Sequence, residues 1–273
     1  MAKVQLMEAG WRLHRAQSWR GGSWQLRDEC VADESPVALV YNDEPHVVMM
    51  ATPLNLDDLG LGFSLSEGII ADRSELQACE LQVLERGLQL SMRIPAQRHA
   101  LLKARPRGLE GRSGCGLCGA RHIDDVLRPL PRVTAGTVVS PNAVSRAMRE
   151  LSSLQRLNAD TGAVHAAAWA SCEGELHLIR EDVGRHNALD KLLGALAGAA
   201  VPAHQGFVIL TSRASSEMVM KVASAGITLV AAVSAPTCLA VEMADEAGIT
   251  LVGFAREDRC TVYTRAARVS TEH

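Results

Sequence analysis

The last third of the chain reads Phe207-Val208-Ile209-Leu210-Thr211, then Ile227-Thr228-Leu229-Val230-Ala231-Ala232-Val233-Ser234, then Ile249-Thr250-Leu251-Val252-Gly253-Phe254-Ala255. Two segments with a helical pattern, residues 215–225 and 237–247, separate these apolar runs. Nearly continuous apolar strands are typical of a sheet that is covered on both faces. A strand–helix–strand order implies parallel pairing through right-handed crossovers. This part of the chain therefore predicts an α/β domain with a largely parallel sheet.

The segment just before it adds further elements to the same domain. Ser140-Pro141 is typical of a helix start, with serine as the cap and proline in the first turn. Residues 165–171 and 176–180 predict a β-hairpin around a Glu173-Gly174 turn. A second helix is predicted over residues 184–196.

The first half of the chain predicts a smaller α+β domain. Residues 37–41 and 46–50 flank a polar turn and predict one β-hairpin, and residues 80–84 and 88–94 predict another. A helix is predicted between them, over residues 54–70. Residues 1–35 show little pattern and predict an extended arm or edge. The predicted organisation is an N-terminal extension (1–24), the α+β domain (25–134) and the α/β domain (135–273).

Composition and charge argue against several classes of protein. The 273 residues carry a net charge of −3, which does not suit a general nucleic-acid-binding protein. The longest apolar stretch, residues 226–241, is interrupted by Ser234, Pro236 and Thr237, so no membrane span is expected. No signal peptide is recognisable at the N-terminus. Seven cysteines, an odd number, favour a reducing cytoplasm over a disulfide scaffold.

Polar residues follow each strand of the predicted parallel sheet. Arg213 lies after the first strand, Ser234 to Thr237 after the second, and Arg256 and Arg259 after the third. Ligands of α/β sheets bind beyond the carboxyl ends of the strands, and helix N-termini there attract anions. The sequence therefore predicts a site for an anion or a nucleotide phosphate. The alternative is that these arginines form surface ion pairs with Glu217, Glu257 and Asp258.

A dense polar run precedes the predicted helix at 184–196. His186 and Asn187 in this run are able to read the edge of a base or a pterin. Two structural interpretations stand beside that one. Asp182 is a suitable helix cap, and an isolated histidine is more often structural than catalytic.

One pair of cysteines lies in Gly114-Cys115-Gly116-Leu117-Cys118-Gly119, at the end of a predicted basic loop over residues 98–119. Arginine charge or a helix N-terminus lowers a thiol pKa and makes the sulfur nucleophilic, and flanking glycines give the chain freedom. This favours sulfur transfer. Half of a zinc site is an alternative, but no second pair exists and only His122 lies nearby. A thioredoxin-type dithiol normally belongs to a βαβ context, and a zinc deaminase needs His-x-Glu, which is absent.

Taken together, these motifs resemble the formate dehydrogenase accessory sulfurtransferase family (FdhD), from about Val37 to Tyr263. The segments that carry the resemblance are Pro36 to Asn42, His46 to Ala51, Gly62 to Ile70, Gly111 to Gly119, His165 to Trp169, Glu181 to Gly194, Ser212 to Ser215 and Leu251 to Phe254.

The resemblance implies a fold, a function and partners. The C-terminal domain is expected to be cytidine-deaminase-like. The family takes persulfide sulfur from a cysteine desulfurase and passes it to the molybdenum cofactor, a bis(molybdopterin guanine dinucleotide), for formate dehydrogenase. A guanine nucleotide is expected to substitute for that cofactor. A cytoplasmic homodimer with no resident metal is implied, and a non-catalytic cofactor chaperone is the alternative function.

The resemblance also assigns residues. Cys115 corresponds to the persulfide cysteine, and Cys118 to an assisting thiol. The cofactor-binding stretch corresponds to Phe254, Ala255, Arg256, Glu257, Asp258 and Arg259. Arg213 from the sheet edge and His186 from the polar run before the helix are added to it. Glu257 and Asp258 stand where relatives have small or neutral residues, whereas Arg256 and Arg259 keep the positive charge.

Overall fold

A computed structural model describes residues 9–104, 130–134 and 136–271. The first elements of the described residues form a two-stranded antiparallel hairpin, strands β1 (Trp11–Arg20) and β2 (Ser23–Ala32), joined by Gly21 and Gly22 at positive φ. We call this hairpin the arm. The predicted boundary at residues 24/25 falls inside it, at the start of β2.

The N-terminal sheet has four strands in the order β4-β3-β6-β5. Its strands are β3 (Ser35–Tyr41), β4 (Glu44–Ala51), β5 (Ala78–Leu84) and β6 (Gly87–Arg93). Both predicted hairpins are confirmed as antiparallel pairs. Helix α1 (Leu56–Ser66) packs on one face, where Leu59 and Phe63 join Leu39 and Leu90 in the core. A short 3-10 turn, Arg73–Glu75, precedes β5.

The start of the predicted basic loop is wrong, because helix α2 (Ala96–Ala104) occupies it. Its basic side chains are held by acids of the neighbouring strands and turns. Arg98 Nε donates to Glu75 Oε2 at 2.9 Å, and Lys103 pairs with Glu44. These charges serve local ion pairs, so they are not free to attract an anionic substrate.

The C-terminal sheet has six strands in the order β12-β11-β10-β9-β7-β8. Its strands are β7 (His165–Ser171), β8 (Leu176–Asp182), β9 (Gly206–Leu210), β10 (Leu229–Ala232), β11 (Thr250–Gly253) and β12 (Thr261–Val262). The parallel pairing of β9, β10 and β11 is confirmed. The prediction of a largely parallel sheet is wrong, because β7, β8 and β12 all pair antiparallel. The domain is therefore mixed α/β, and its likeness to cytidine deaminases stays a prediction.

Helices cover both faces of this sheet. They are α3 (Pro141–Leu154), α4 (Arg156–Thr161), α5 (Arg185–Gly198), α6 (Ser216–Ser224) and α7 (Cys238–Ala247), with a 3-10 turn at Ala266–Arg268. Leucines and methionines of α5, α6 and α7 form the core on one face, and α3 packs on the other. Ser140 caps α3 as predicted, because its Oγ accepts the Ala143 N–H at 3.1 Å.

Helices α1 and α5 join the two halves of the molecule and approach each other very closely. A Cβ at Gly62 would lie 1.7 Å from the Asp190 carbonyl oxygen, and a Cβ at Gly194 would lie 2.0 Å from that of Asp58. Only glycine permits this approach. We call this contact, with the buried charges around it, the seam.

Two buried lysines of the α/β domain reach across the seam. Lys191 Nζ lies 2.6 Å from Asp182 Oδ2 and donates to the Thr52 carbonyl at 2.8 Å. Lys221 Nζ lies 2.9 Å from Asp190 Oδ1 and from Glu67 Oε1. Burial lowers the pKa of Lys191. Burial acts in the same direction on Lys221, but its two carboxylate partners outweigh it and raise that pKa. None of the helices in the described ranges is both long and apolar enough to span a bilayer.

Candidate functional site

The carboxyl ends of β8, β9, β10 and β11 lie along one edge of the C-terminal sheet. The loops that follow them, residues 183–187, 211–215, 233–237 and 254–259, are called the carboxyl edge here. Backbone hydrogen bonds join neighbouring loops, including Thr237 N to Ala214 O at 3.1 Å and Phe254 N to Ser234 O at 3.2 Å. The loops therefore continue the sheet as one surface, as the sequence predicts.

Three helices begin at this edge, α5 at Gly184, α6 at Ser215 and α7 at Thr237. Thr237 accepts the Ala240 N–H with its own side chain, whereas Gly184 and Ser215 give their helices no side-chain cap. Free N–H groups of a first helical turn favour anions. The edge therefore combines two uncapped helix starts with the basic side chains of its loops.

Three arginines of the edge have no carboxylate partner in the described ranges. Arg213, Arg256 and Arg259 are all exposed. Within the described ranges, none of the three guanidinium groups forms an ion pair with a carboxylate. The alternative of ion pairs with Glu217, Glu257 and Asp258 is therefore wrong for the part of the chain that the structure describes. Guanidinium groups bind phosphate bidentately when nothing else holds them.

Glu217 has other partners at the edge. Its Oε2 lies 2.7 Å from His186 Nε2, 3.3 Å from Ser215 Oγ and 3.9 Å from Arg185 Nη2. The hydrogen bond from His186 is the main cause that lowers the pKa of Glu217. Burial, with the charges of Arg185 and His186, lowers the pKa of His165 at the start of β7.

The structure places His186 at the edge, where it is buried and bound to Glu217. This geometry favours the structural interpretation of His186, since one ring nitrogen is already used inside the protein. Sequence reasoning considered Glu217 only as a partner for an edge arginine. Its position in the first turn of α6, two residues after Ser215, was the available signal.

The loop after β11 carries the six residues that the resemblance assigns to the cofactor. Phe254 has φ 50° and leaves 45% of its side chain exposed. A phenylalanine in the left-handed region is uncommon, and such strain often accompanies functional sites. The Arg256 N–H donates to the Arg259 carbonyl at 2.8 Å, so residues 256–259 form a closed turn with all four residues exposed. Ala255 is fully buried, so its methyl group belongs to the core.

Asp182 anchors the turn that carries Arg185 and His186. Its Oδ1 accepts the Gly184 N–H at 2.7 Å, and its Oδ2 accepts the Thr52 N–H at 3.0 Å. Asn187 Nδ2 donates to the Met50 carbonyl at 2.8 Å. The predicted cap by Asp182 is wrong, because Gly184 is the N-cap of α5 and the Asp182 carboxylate binds the Gly184 N–H, outside the first helical turn. Asp182 and Asn187 also fix the carboxyl edge to the N-terminal sheet, which the sequence did not reveal.

The predicted sulfur site lies outside the described residues. Cys115 and Cys118 belong to that part of the chain, as does His122 of the zinc alternative. In the described ranges, no group of three or more His, Cys, Asp or Glu side chains is arranged to hold a metal ion. The roles of Cys115 and Cys118 therefore stay predictions.

Comparisons with known proteins agree with the predicted family. The family model described as FdhD/NarQ matches residues 32–270. A sulfur carrier protein FdhD from Xanthomonas euvesicatoria pv. vesicatoria is 50% identical over 250 residues, which cover 92% of this chain and 89% of the relative. One of the same name from Variovorax paradoxus is 53% identical over 240 residues, which cover 88% and 86%.

The fold has a counterpart among solved structures. A crystal structure assigned to a formate dehydrogenase accessory protein from Desulfotalea psychrophila superposes with a TM-score of 0.75 at 27% identity. The match covers 95% of this chain and 99% of that chain.

Proposed function

The chain belongs to the FdhD/NarQ family. We propose that it is a sulfur carrier in the maturation of formate dehydrogenase, with Cys115 as the thiol that carries the sulfur. We further propose that the carboxyl edge binds the cofactor that receives this sulfur. The relatives named as sulfur carriers support the first part, because they share about half of their residues over most of the chain. The observation that supports the second part is that Arg213, Arg256 and Arg259 hold no carboxylate in the described ranges, at an edge where helices begin.

The sulfur step requires a nucleophilic thiolate. A persulfide on a cysteine desulfurase carries its transferable sulfur at the end of a sulfur–sulfur bond. The Cys115 thiolate attacks that outer sulfur, a new sulfur–sulfur bond forms on Cys115, and the desulfurase cysteine leaves as a thiolate. The exchange needs no external oxidant or reductant. Cys118, three residues away, is proposed as an assisting thiol.

The cargo is the molybdenum cofactor, a bis(molybdopterin guanine dinucleotide), which is a substrate of this protein. Its pyrophosphate groups match the chemistry of Arg213, Arg256 and Arg259. Arginine grips phosphate oxygens with two parallel N–H bonds, and the starts of α5 and α6 offer further N–H groups. The exposed ring of Phe254 offers an apolar face for a purine or pterin ring.

The loop chemistry also fits the guanine end of that cargo. Glu257 and Asp258 are exposed, and neither carboxylate pairs with a cation in the described ranges. A carboxylate beside phosphate repels it, but it accepts N–H groups such as those on one edge of guanine. We therefore include both residues in the proposed cofactor site with Phe254, Arg256 and Arg259. A free guanine nucleotide is expected to occupy the same place.

The proposed partners are a cysteine desulfurase, the catalytic subunit of formate dehydrogenase and a second copy of the chain. The proposed location is the cytoplasm, because a persulfide carrier with several free thiols suits a reducing compartment.

The sulfur role is tested by mass spectrometry after incubation with a cysteine desulfurase and cysteine. We expect Cys115 to gain about 32 Da, the mass of one sulfur atom. Cys172→Ala is the matched control, since Cys172 is a half-buried thiol beyond the end of β7, opposite the carboxyl edge. This variant should load sulfur like the parent chain. An unmodified Cys115 in both proteins would refute the sulfur-carrying role and favour the non-catalytic chaperone.

A further inference from the structure

One side of the arm exposes large apolar residues around a central charged pair. In an antiparallel pair, directly opposite residues point to the same side. The register therefore puts five opposite pairs on one side, which we call the arm face: Trp11/Ala32, Leu13/Cys30, Arg15/Asp28, Gln17/Leu26 and Trp19/Trp24. The other side carries mostly polar residues, such as the pairs His14/Glu29 and Ser18/Gln25.

This face is large and open. Leu13 and Trp24 are each 66% exposed, Leu26 is 60% exposed and Trp19 is 56% exposed. Trp19 and Trp24 contact each other at the tip, with ring centroids 5.4 Å apart. The face thus holds three of the four tryptophans in a chain with only nine aromatic residues of the Phe, Trp and Tyr types. Aromatic residues are enriched in protein–protein interfaces.

The arm has little support from the rest of the molecule. Its base is fixed where Arg12 Nη2 lies 2.7 Å from Asp33 Oδ2 and the Asp33 N–H donates to the Gly10 carbonyl. Among the described residues, its strands form a ladder only with each other. A two-stranded hairpin alone is at best marginally stable in water. An apolar surface of this kind therefore indicates a partner that covers it.

The charges of the arm face indicate what that partner is. Arg15 and Asp28 lie opposite each other in the third of the five pairs, and neither forms an ion pair in the described ranges. A second arm face turned about an axis parallel to the strands places each pair over the same pair of the other copy. Each Arg15 then meets the other copy's Asp28, and the tryptophan tips stack. An axis across the strands would instead set Arg15 against Arg15.

We propose that the arm face binds the arm face of a second copy of this chain, with the two faces packed against each other and the two arms pointing in the same direction. This inference rests on the second copy included in the proposed function and names its surface and orientation. Leu13, Trp19, Trp24 and Leu26 of each copy are all more than half exposed, and they supply apolar area toward the roughly 1,200–2,000 Å² of a specific interface.

The test uses complementary charge variants of the full chain. Arg15→Asp gives a face with two acids, and Asp28→Arg gives a face with two bases. Each variant should weaken self-association by at least tenfold, or about 1.4 kcal/mol, in sedimentation at graded concentrations. Mixed in equal amounts, the two variants should recover the affinity of the parent, because every contact then joins opposite charges. An intrachain role of Arg15 and Asp28 predicts no recovery.

A neutral pair of variants checks the apolar part. Leu26→Asn should weaken association, whereas Ser18→Asn on the opposite side should not. A monomeric parent, single reversals that associate like the parent, or no recovery on mixing would each overturn the proposal. Sulfur loading on Cys115 is measured in the same samples. Monomeric variants that still load sulfur leave the proposed function standing, and an unloaded Cys115 in a dimeric parent counts against that function alone.

Discussion

The carboxyl edge and the seam use the same chemistry in opposite ways. In the seam, Lys191 and Lys221 are buried and bound to Asp182 and Asp190 at 2.6 and 2.9 Å. At the edge, Arg213, Arg256 and Arg259 are exposed and hold no carboxylate of the described chain. A buried charge must be paired because desolvation is costly. An exposed charge is solvated by water and is therefore available to bind a ligand. The difference separates residues that hold the fold together from residues that bind.

The comparison predicts the largest loss of stability for Lys191→Met. The variant leaves Asp182 buried without its cationic partner, and the Thr52 carbonyl loses a donor. Removing one member of a buried pair costs about 3–5 kcal/mol, so the free energy of unfolding should fall by that amount in urea denaturation. A fall below about 0.5 kcal/mol, the range of ordinary surface changes, would show that the seam is not built on this pair.

A smaller loss is expected where the seam depends on shape alone. Gly62→Ala would place a methyl group 1.7 Å from the Asp190 carbonyl oxygen, so α1 and α5 must move apart. Overpacking of this kind costs about 1–3 kcal/mol. Gly198→Ala at the end of α5 is the control, because its added methyl group meets open space. Equal stabilities of the two variants would argue against a tight helix contact.

The same type of change at the edge should affect binding and not stability. Arg213→Met should weaken the binding of guanosine diphosphate about tenfold, or roughly 1.4 kcal/mol, in isothermal titration. Its free energy of unfolding should stay within about 0.5 kcal/mol of the parent. Arg146→Met is the matched control, since Arg146 pairs with Glu150 and Glu175. Unchanged affinity in Arg213→Met with lowered stability would reverse the roles assigned to the two regions.

The smallest effect on stability is expected at Glu217, the carboxylate that binds His186 at the edge. The hydrogen bond from His186 holds the pKa of Glu217 below its usual value of 4.5. A carboxyl with a lowered folded-state pKa stabilises the fold above its unfolded-state pKa, and this contribution is lost as the pH falls through the folded-state pKa. The free energy of unfolding of Glu217→Gln should therefore fall less steeply with decreasing pH than that of the parent. The two slopes should differ by less than the value for one proton, which is about 1.36 kcal/mol per pH unit. Identical slopes would show that the pair is not coupled to folding.

The sequence predicted the elements that have strong local signals. The strands β9, β10 and β11 were recognisable as apolar runs between helices, and the hairpins of the N-terminal sheet as apolar segments around turns. The ends of β10 and β11 lie one or two residues inside the predicted ones, whereas β3, β4 and β5 extend one or two residues beyond them. The carboxyl edge followed from strand order alone, because parallel strands end together.

The remaining features depend on contacts between distant residues. The partners of Lys191 and Lys221 lie in part more than 130 residues away in the chain, so their pairing left no local pattern. The strands of the arm do not pack on the core. Their sequence therefore shows only part of the alternation of apolar and polar residues by which a half-buried strand is recognised. Helix α2 was not predicted, because its basic residues were interpreted as part of a loop. In the structure Glu44 and Glu75 of other elements neutralise these charges.

The central claim is that a thiol of the Cys115–Cys118 pair carries the sulfur that activates formate dehydrogenase. The most direct test is formate dehydrogenase activity in cells that lack their own copy of the carrier and receive a variant of this chain. The chain with both Cys115→Ala and Cys118→Ala should give no activity above the empty vector, while Cys172→Ala restores activity to the level of the parent. Full activity with the doubly substituted chain would contradict the account.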